Sequence, residues 1–307
     1  MVSVPGASMR ESFAAAATEL FIGHDRVAIV LAEISAQYFE RAVAHDRSRA
    51  VNVGIAEAAM VGVAAGFAME GFHPIAHSLG PFMAERPFEQ LKLDFGYQGL
   101  GGTFVGSGAS YDYASEGATH HAAGDVGAML TIPRMQVLSP GHGTEVESLL
   151  RATFDNAAPT YVRTSLATND EPHDVAPGRL EVLRRGSGAT VVTFGPTLSR
   201  TVAASEGSDV TIAYATSVAP FDDEGLRALV GDRPHVIAVE PWYEGTTAPV
   251  LTRALGDLPT RYSFIGVPRR FVHEYGTWPE IDADLGLDVA GIRSRIAALS
   301  LTEHPSP

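Results

Sequence analysis

Short apolar, β-branched runs alternate along the chain with longer stretches of helical periodicity. Runs at 27–31, 74–77, 103–106, 135–138 and 160–163 predict one series of strands. Runs at 190–194, 210–214, 235–239 and 261–265 predict a second. Several are apolar at every position, the pattern of strands covered by helices on both faces. Between them, 10–22, 55–70, 86–97, 143–156, 222–230 and 245–255 read as helices. This alternation predicts an α/β fold of parallel, doubly wound sheets. The stretch 166–179, LATNDEPHDVAPGR, is polar, carries two prolines and has no period. It predicts a linker over 166–180 between two domains, 1–165 and 181–307.

Composition narrows the picture. A chain of 307 residues has room for two domains, and 45% hydrophobic against 19% charged residues is the balance of a folded protein. The longest apolar stretch, Met60 to Met69, falls far short of the roughly 20 residues of a membrane span. With no signal-peptide pattern at the start, a cytoplasmic protein with no membrane association is expected. The absence of cysteine excludes disulfides, thiolate metal sites and a cysteine nucleophile. A net charge of −14 without a basic patch argues against a nucleic-acid partner.

Candidate chemistry begins at the helix after Gly54, IAEAAMVGVAAGFAME, which is apolar almost all round and is therefore expected to be buried. Glu57 in its first turn is the only charge before Glu70. It either complements the helix dipole or is a carboxyl held in an apolar site to donate or share a proton. His120 and His121, in GATHH, suit proton transfer or ligand binding. Zinc competes for them, but no third ligand stands at metal spacing. Phe82 and Arg86, in GPFMAERPFEQ, read either as a core aromatic and a solvated arginine or as site residues. Arg163 ends an apolar run where open α/β sheets bind ligands, so it is either an anion clamp or a salt-bridge partner. The chain has no GxGxxG after a strand, no GxxxxGK[ST] and no GxSxG, which leaves dinucleotide, P-loop and serine-hydrolase readings without support.

Taken in order, MRESFAAAATEL, VNVGIAEAAMVGVAAGFAMEGFHPIAHSLGPFMAERPFEQ, EGATHH, IPRMQVLSPG and APTYVRTS resemble the C-terminal half of transketolase and its thiamine diphosphate-dependent relatives. VTIAYATSVAPFDDEGL, VIAVEPWYEG and DLGLDVAGIRSRI continue the resemblance through the second domain. It implies a pyrimidine-binding domain followed by a transketolase C-terminal domain. Glu57 matches the family's catalytic glutamate, whose carboxyl bonds N1′ of the aminopyrimidine and favours its 4′-imino form. Phe82 matches the aromatic that stacks on that ring, and Ile55 and Arg86 fall on the wall of the cofactor site. His120 matches a histidine that shuttles a proton near the substrate oxygens. Arg163 and Ser35 match contacts to substrate phosphate. The family's G-D-G…N motif, which holds the diphosphate and Mg2+, has no counterpart here. The resemblance therefore implies the C-terminal subunit of a two-component transketolase-like enzyme, a transferase of two-carbon ketol or acyl units. Its partner would be an N-terminal subunit that binds most of the thiamine diphosphate and Mg2+, in an α2β2 assembly.

Departures cluster in the substrate site. A phosphate-contacting histidine is Gly108 here, a donor-recognising aspartate is Glu116, and the glutamine after the family's Thr-His pair is His121. They imply small-molecule substrates other than a standard pentose or hexose phosphate bound in the standard way. The alternatives are the β subunit of a 2-oxo-acid dehydrogenase, half of a 1-deoxyxylulose-phosphate synthase, or a non-catalytic scaffolding subunit. Against the last stands the joint presence of Glu57, Phe82 and His120.

Overall fold

In the computed structural model, which describes residues 7–232 and 234–301, the chain builds two α/β units. The outer limits of the expected domains, at 1 and 307, lie outside the described residues. The first sheet holds β1 (Val27–Leu31), β2 (Ala50–Asn52), β3 (His73–Leu79), β4 (Gly102–Ser107), β5 (Gln136–Leu138) and β6 (Pro159–Thr164). The second holds β7 (Leu180–Arg184), β8 (Thr190–Phe194) and β9 (Thr211–Ala215). After β10 (Ser217–Ala219), it continues with β11 (His235–Tyr243) and β12 (Arg261–Val267). The orders are β10-β5-β6-β4-β3-β1-β2 and β12-β11-β8-β9-β7. All neighbours run parallel except β10 on β5 and β7 on β9. Residues 166–179 carry no strand or helix. The chain nevertheless returns across this boundary: β10 follows β9 in sequence but closes the edge of the first sheet.

The winding shows in how single strands divide their side chains. Ile29 and Leu31 of β1 join the core with Phe13, Phe21, Val146 and Leu150, from the helices Met9–Gly23 and Gly143–Thr153. Val30 between them joins the opposite core with Met60, Val61 and Ala64 of the helix Glu57–Met69. The first of these helices starts at a capping box in which Ser8 and Glu11 satisfy each other's backbone N–H groups.

Two expectations change. The helix Glu57–Met69 is not buried all round. Met60, Val61, Ala64 and Ala65 face inward, while Ala58, Ala59, Gly62, Val63, Gly66 and Met69 are exposed. The single helix expected over 86–97 is broken. A helix Gly80–Ala84 carries Pro81 in its first turn, the chain turns at Arg86-Pro87, and the helix Phe88–Gln90 passes into a π-helix, Leu91–Tyr97. Pro87 has no N–H to donate and its ring disfavours a helical Arg86, so the turn falls there.

Buried polar groups tie the two units together. Glu145 accepts from the Gly141 and His173 amides at 2.7 and 3.0 Å and from Tyr214 of β9 at 2.7 Å. The loop 108–122, closed at its base by the Ser110–Ala122 bridge, is backed by the second unit. Ser110 donates to the Pro241 carbonyl, Tyr111 donates to Asp282, and Gly117 lies against the ring of Tyr275.

Candidate active site

Because β1 to β4 and β6 are parallel, the loops that leave their carboxyl ends share one edge, where open α/β sheets place their ligands. Ser35 follows β1, Ile55 and Glu57 follow β2, Phe82 follows β3, and Gly108 to His121 follow β4.

The turn into Glu57 is set by Asn52 and Gly54. The Asn52 side-chain oxygen accepts from the Gly54 and Glu33 amides, each at 3.0 Å, and Gly54 has φ of +75°, a value that costs glycine nothing. The helix then begins on Glu57, whose side chain is only 6% exposed. Arg86 donates to its Oε1 at 3.1 Å, and the same guanidinium lies 3.6 Å from the centre of the Phe82 ring. His120 meets Phe82 edge-on at 5.1 Å, and its Nδ1 is 3.0 Å from the Thr119 hydroxyl. Glu57, Arg86, Phe82 and His120 thus form one connected cluster. Ile55, two residues before Glu57, is 75% exposed beside it in sequence.

The other expected residues lie elsewhere. Arg163 is 1% exposed and does not present an anion clamp. Its Nε donates to Asp125 at 2.8 Å, and Nη2 donates to Ser110 at 2.9 Å and to the Pro241 carbonyl at 3.0 Å. The ion pair lies within the first unit, where breaking it would strand a charge away from water, and the bond to Pro241 of β11 reaches the second unit. Ser35 is also buried, at 2% exposed. It accepts from Arg10 Nε at 2.7 Å and lies 2.8 Å from His77 Nε2. His77 Nδ1 is 2.8 Å from the Val105 carbonyl, which can only accept, so Nδ1 carries the hydrogen and Nε2 takes the Ser35 proton. Burial pushes the His77 imidazole down to about 3, which keeps it neutral. With its proton committed to His77, Ser35 orients Arg10 rather than contacting a substrate. Glu116 is exposed on its loop, and no hydrogen bond or ion pair joins its carboxylate to the cluster among the described residues. His121 turns from His120 toward a small pocket shared with Glu85, Tyr243 and Arg270, where burial lowers its affinity for a proton.

Sequence reasoning did not find Arg10, His77, Asp112 or Tyr113. Arg10 lies in a family-like motif, but its bond to Ser35 spans 25 residues, and that of His77 to Ser35 spans 42. Asp112 is buried and accepts from the Ala109 and Leu166 amides at 2.7 and 2.8 Å, which anchors the loop that carries His120. Burial raises its carboxyl to about 6 despite these bonds.

The family described as transketolase, pyrimidine binding domain, matches residues 6–168. The chain belongs to the transketolase family. Over 274 residues it is 37% identical to an uncharacterized 33.6 kDa protein in the fasciation locus of Rhodococcoides fascians, covering 88% of each chain. It is 30% identical to a subunit of the apulose-4-phosphate transketolase of Actinobacillus succinogenes, covering 71% of this chain and 73% of that one. Its fold superposes on a split-gene transketolase solved as an inactive β4 tetramer, with a TM-score of 0.83 and 24% identity over 97% of this chain and 100% of that one. The similarity to one subunit of a transketolase and to a split-gene transketolase supports a split transketolase-like subunit with two α/β domains. This family implies thiamine diphosphate. The residues present fit its aminopyrimidine half. A planar hydrogen-bond donor, the Arg86 guanidinium, already lies over the Phe82 ring and bonds the buried Glu57 carboxylate. An aromatic ring would stack on Phe82 in the same place, and a ring nitrogen turned to Glu57 would pair with its carboxyl through one shared proton. Among the described residues, no group of three or more His, Asp or Glu could hold a metal ion.

Proposed function

We propose that this chain is the carboxylate-bearing subunit of a two-component transketolase-like enzyme that transfers a two-carbon ketol unit between small substrates. One observation carries the reading: a buried carboxylate at a helix start faces a planar group lying over Phe82, with His120 at the ring's edge. Thiamine diphosphate supplies the carbanion chemistry when bound. Glu57 holds a proton at the ring nitrogen that faces it. Phe82 gives the ring its platform, and Ile55 and Arg86 wall the site. Arg86, half exposed in this cluster, swings aside to make room. His120, paired with Thr119, carries a proton to or from the substrate oxygens.

A second subunit with the diphosphate and Mg2+ site completes this arrangement, with two copies of each chain in the assembly. The exposed face of the helix Glu57–Met69 supports that partnership. It is apolar, begins at the proposed catalytic carboxyl, and includes Gly62 and Gly66, at neither of which a Cβ would meet any atom within 4 Å. This chain's own packing therefore gives no reason for glycine there, whereas close approach by another helix would. The test is reconstitution. The chain alone should turn over no ketose donor, and adding a subunit with the diphosphate and Mg2+ motif should start the reaction. Full activity of the chain alone would refute the two-component reading.

A further inference from the structure

A cleft of about 920 Å3 opens between the two units, away from the carboxyl edge. On the side of the first unit it runs from Gly124, just past His121, to Gln136 at the amino end of β5. Pro220 and the stretch from Tyr243 to Arg253 close the other side. Its walls are largely apolar, with Leu130, Ile132, Pro220 and Val250 among them. Small-molecule sites have this character: about 300–1,000 Å3, mostly apolar with a few charged groups, and often at the junction of two domains.

The charge along the cleft is of one sign. Arg134, Arg253 and Arg269 line it, and among the described residues no carboxylate does, in a chain whose net charge is −14. Arg253 is neutralised, with Nε and Nη2 on Asp223 at 2.9 and 2.8 Å. Arg134 gives Nη1 and Nη2 to the Gly99 and Ala157 carbonyls at 3.4 and 3.2 Å, which holds the guanidinium in place without cancelling its charge. Arg269 makes neither a hydrogen bond nor an ion pair among the described residues. It stands close enough to the Tyr243 phenol to favour the ionised form, but burial and the Glu85 charge outweigh it and the phenol keeps its proton at neutral pH. Apolar walls around charge of one sign concentrate its field, so the cleft attracts anions more strongly than scattered surface arginines would.

We infer that this cleft is a binding site for an organic anion with an apolar or aromatic body, its charged end on Arg269 and its body against the walls between Leu130 and Val250. A guanidinium binds phosphate and carboxylate heads by the same chemistry. The inference does not depend on the ketol-transfer reading. Gly124 and Tyr243 line both this cleft and the small pocket that holds His121, and the Tyr243 amide donates to the Ala123 carbonyl at 3.0 Å. An occupant of the cleft therefore shares the Tyr243 ring with the segment that carries His120 and His121.

The test titrates the isolated chain by calorimetry with 1-naphthyl phosphate, 1-naphthoate, the neutral 1-naphthalenemethanol and inorganic phosphate. A naphthyl anion should bind, and the tighter of the two identifies the head group. The neutral alcohol, which lacks the charge, and inorganic phosphate, which lacks the body, should each bind at least about tenfold more weakly. Arg269→Gln, at an exposed position, should weaken the naphthyl anion by about tenfold or more, the usual loss for a hydrogen bond to a charged group, and leave the alcohol unchanged. Gly127→Phe should abolish binding of both by filling the cleft. A Cβ at 127 would meet nothing nearer than Cγ2 of Thr246 at 3.6 Å, so the larger side chain has room to enter and the melting temperature should hold. Binding of the naphthyl anions that is absent, or unchanged in both variants, overturns the inference, as does equally tight binding of the alcohol. Loss of self-association in Gly127→Phe, with no naphthyl anion bound by the natural sequence, would make the cleft a protein interface and overturn it as well.

Discussion

Lowering the pH should weaken the fold through His77, and His77→Gln should remove that part of the weakening. The ring is fully enclosed, gives its Nδ1 hydrogen to Val105 and takes the Ser35 proton on Nε2, so the folded chain has no room for a second proton. Its affinity for that proton falls from 6.5 to about 3, mainly through burial, with the Arg10 charge adding to the fall. Between those values the unfolded chain binds a proton that the folded chain refuses. The stabilisation is complete above 6.5 and is lost as pH falls toward 3. One such proton gives a slope of ~1.4 kcal/mol per pH unit, or about 2 kcal/mol lost by pH 5. That is a large share of a typical total of ~5–15 kcal/mol. His73, lowered to about 4, adds a slope of the same sign, and Asp112, raised to about 6, adds one of opposite sign between its ordinary value and 6. Both remain in the variant and cancel in the comparison. Glutamine can still accept from Ser35 through its amide oxygen but does not titrate. The assay is urea unfolding followed by far-ultraviolet circular dichroism, in half-unit steps from about pH 7.5 to 5. The variant's stability should fall less steeply by ~1.4 kcal/mol per unit below pH 6. Parallel curves would show that His77 is not a buried neutral acceptor and would remove the case that Ser35 is committed to it.

Other outcomes follow from the same geometry. Asp125→Asn leaves Arg163 buried without a counter-charge and should cost about 3–5 kcal/mol in thermal or urea unfolding; unchanged stability with a raised substrate KM would return Arg163 to the role of anion clamp. Gly62→Leu should leave the isolated chain as stable as before or slightly more so, since no atom lies within 4 Å of its Cβ position and glycine is a poor helix residue, yet should abolish association with the second subunit in sedimentation. Phe82→Ala should weaken thiamine diphosphate binding by the assembled enzyme about three- to tenfold, the worth of one aromatic stack, as read by calorimetry.

How much of this could be read from the chain differs from residue to residue. Glu57, Phe82, Arg86 and His120 were identifiable because each sits in a short motif, and the structure joins them through contacts among loops at one sheet edge. Most strands followed from apolar runs, since burial on both faces leaves a mark in the sequence. The three-residue strands β2 and β10 leave almost none, and β10 depends on a pairing across the domain boundary. The half-exposed strand β7 lacks the apolar run as well. Arg163 looked like a clamp because Asp125, its partner, lies 38 residues earlier with nothing to link the two. The apolar helix Glu57–Met69 announced burial without saying what would cover it, and one of its faces is exposed in this chain. Gly108 was legible as a missing side chain; the ring of Tyr113 in its place is a tertiary fact.

The most direct measurement of the central claim is turnover of a ketose donor by this chain mixed with a subunit carrying the diphosphate and Mg2+ motif, comparing the natural sequence with Glu57→Gln. The variant should melt at nearly the same temperature and assemble normally, while its rate should fall by about 10²–10⁴-fold, the usual contribution of a positioned acid–base group. A Glu57→Gln pair that turns over donor at the natural rate would contradict the account.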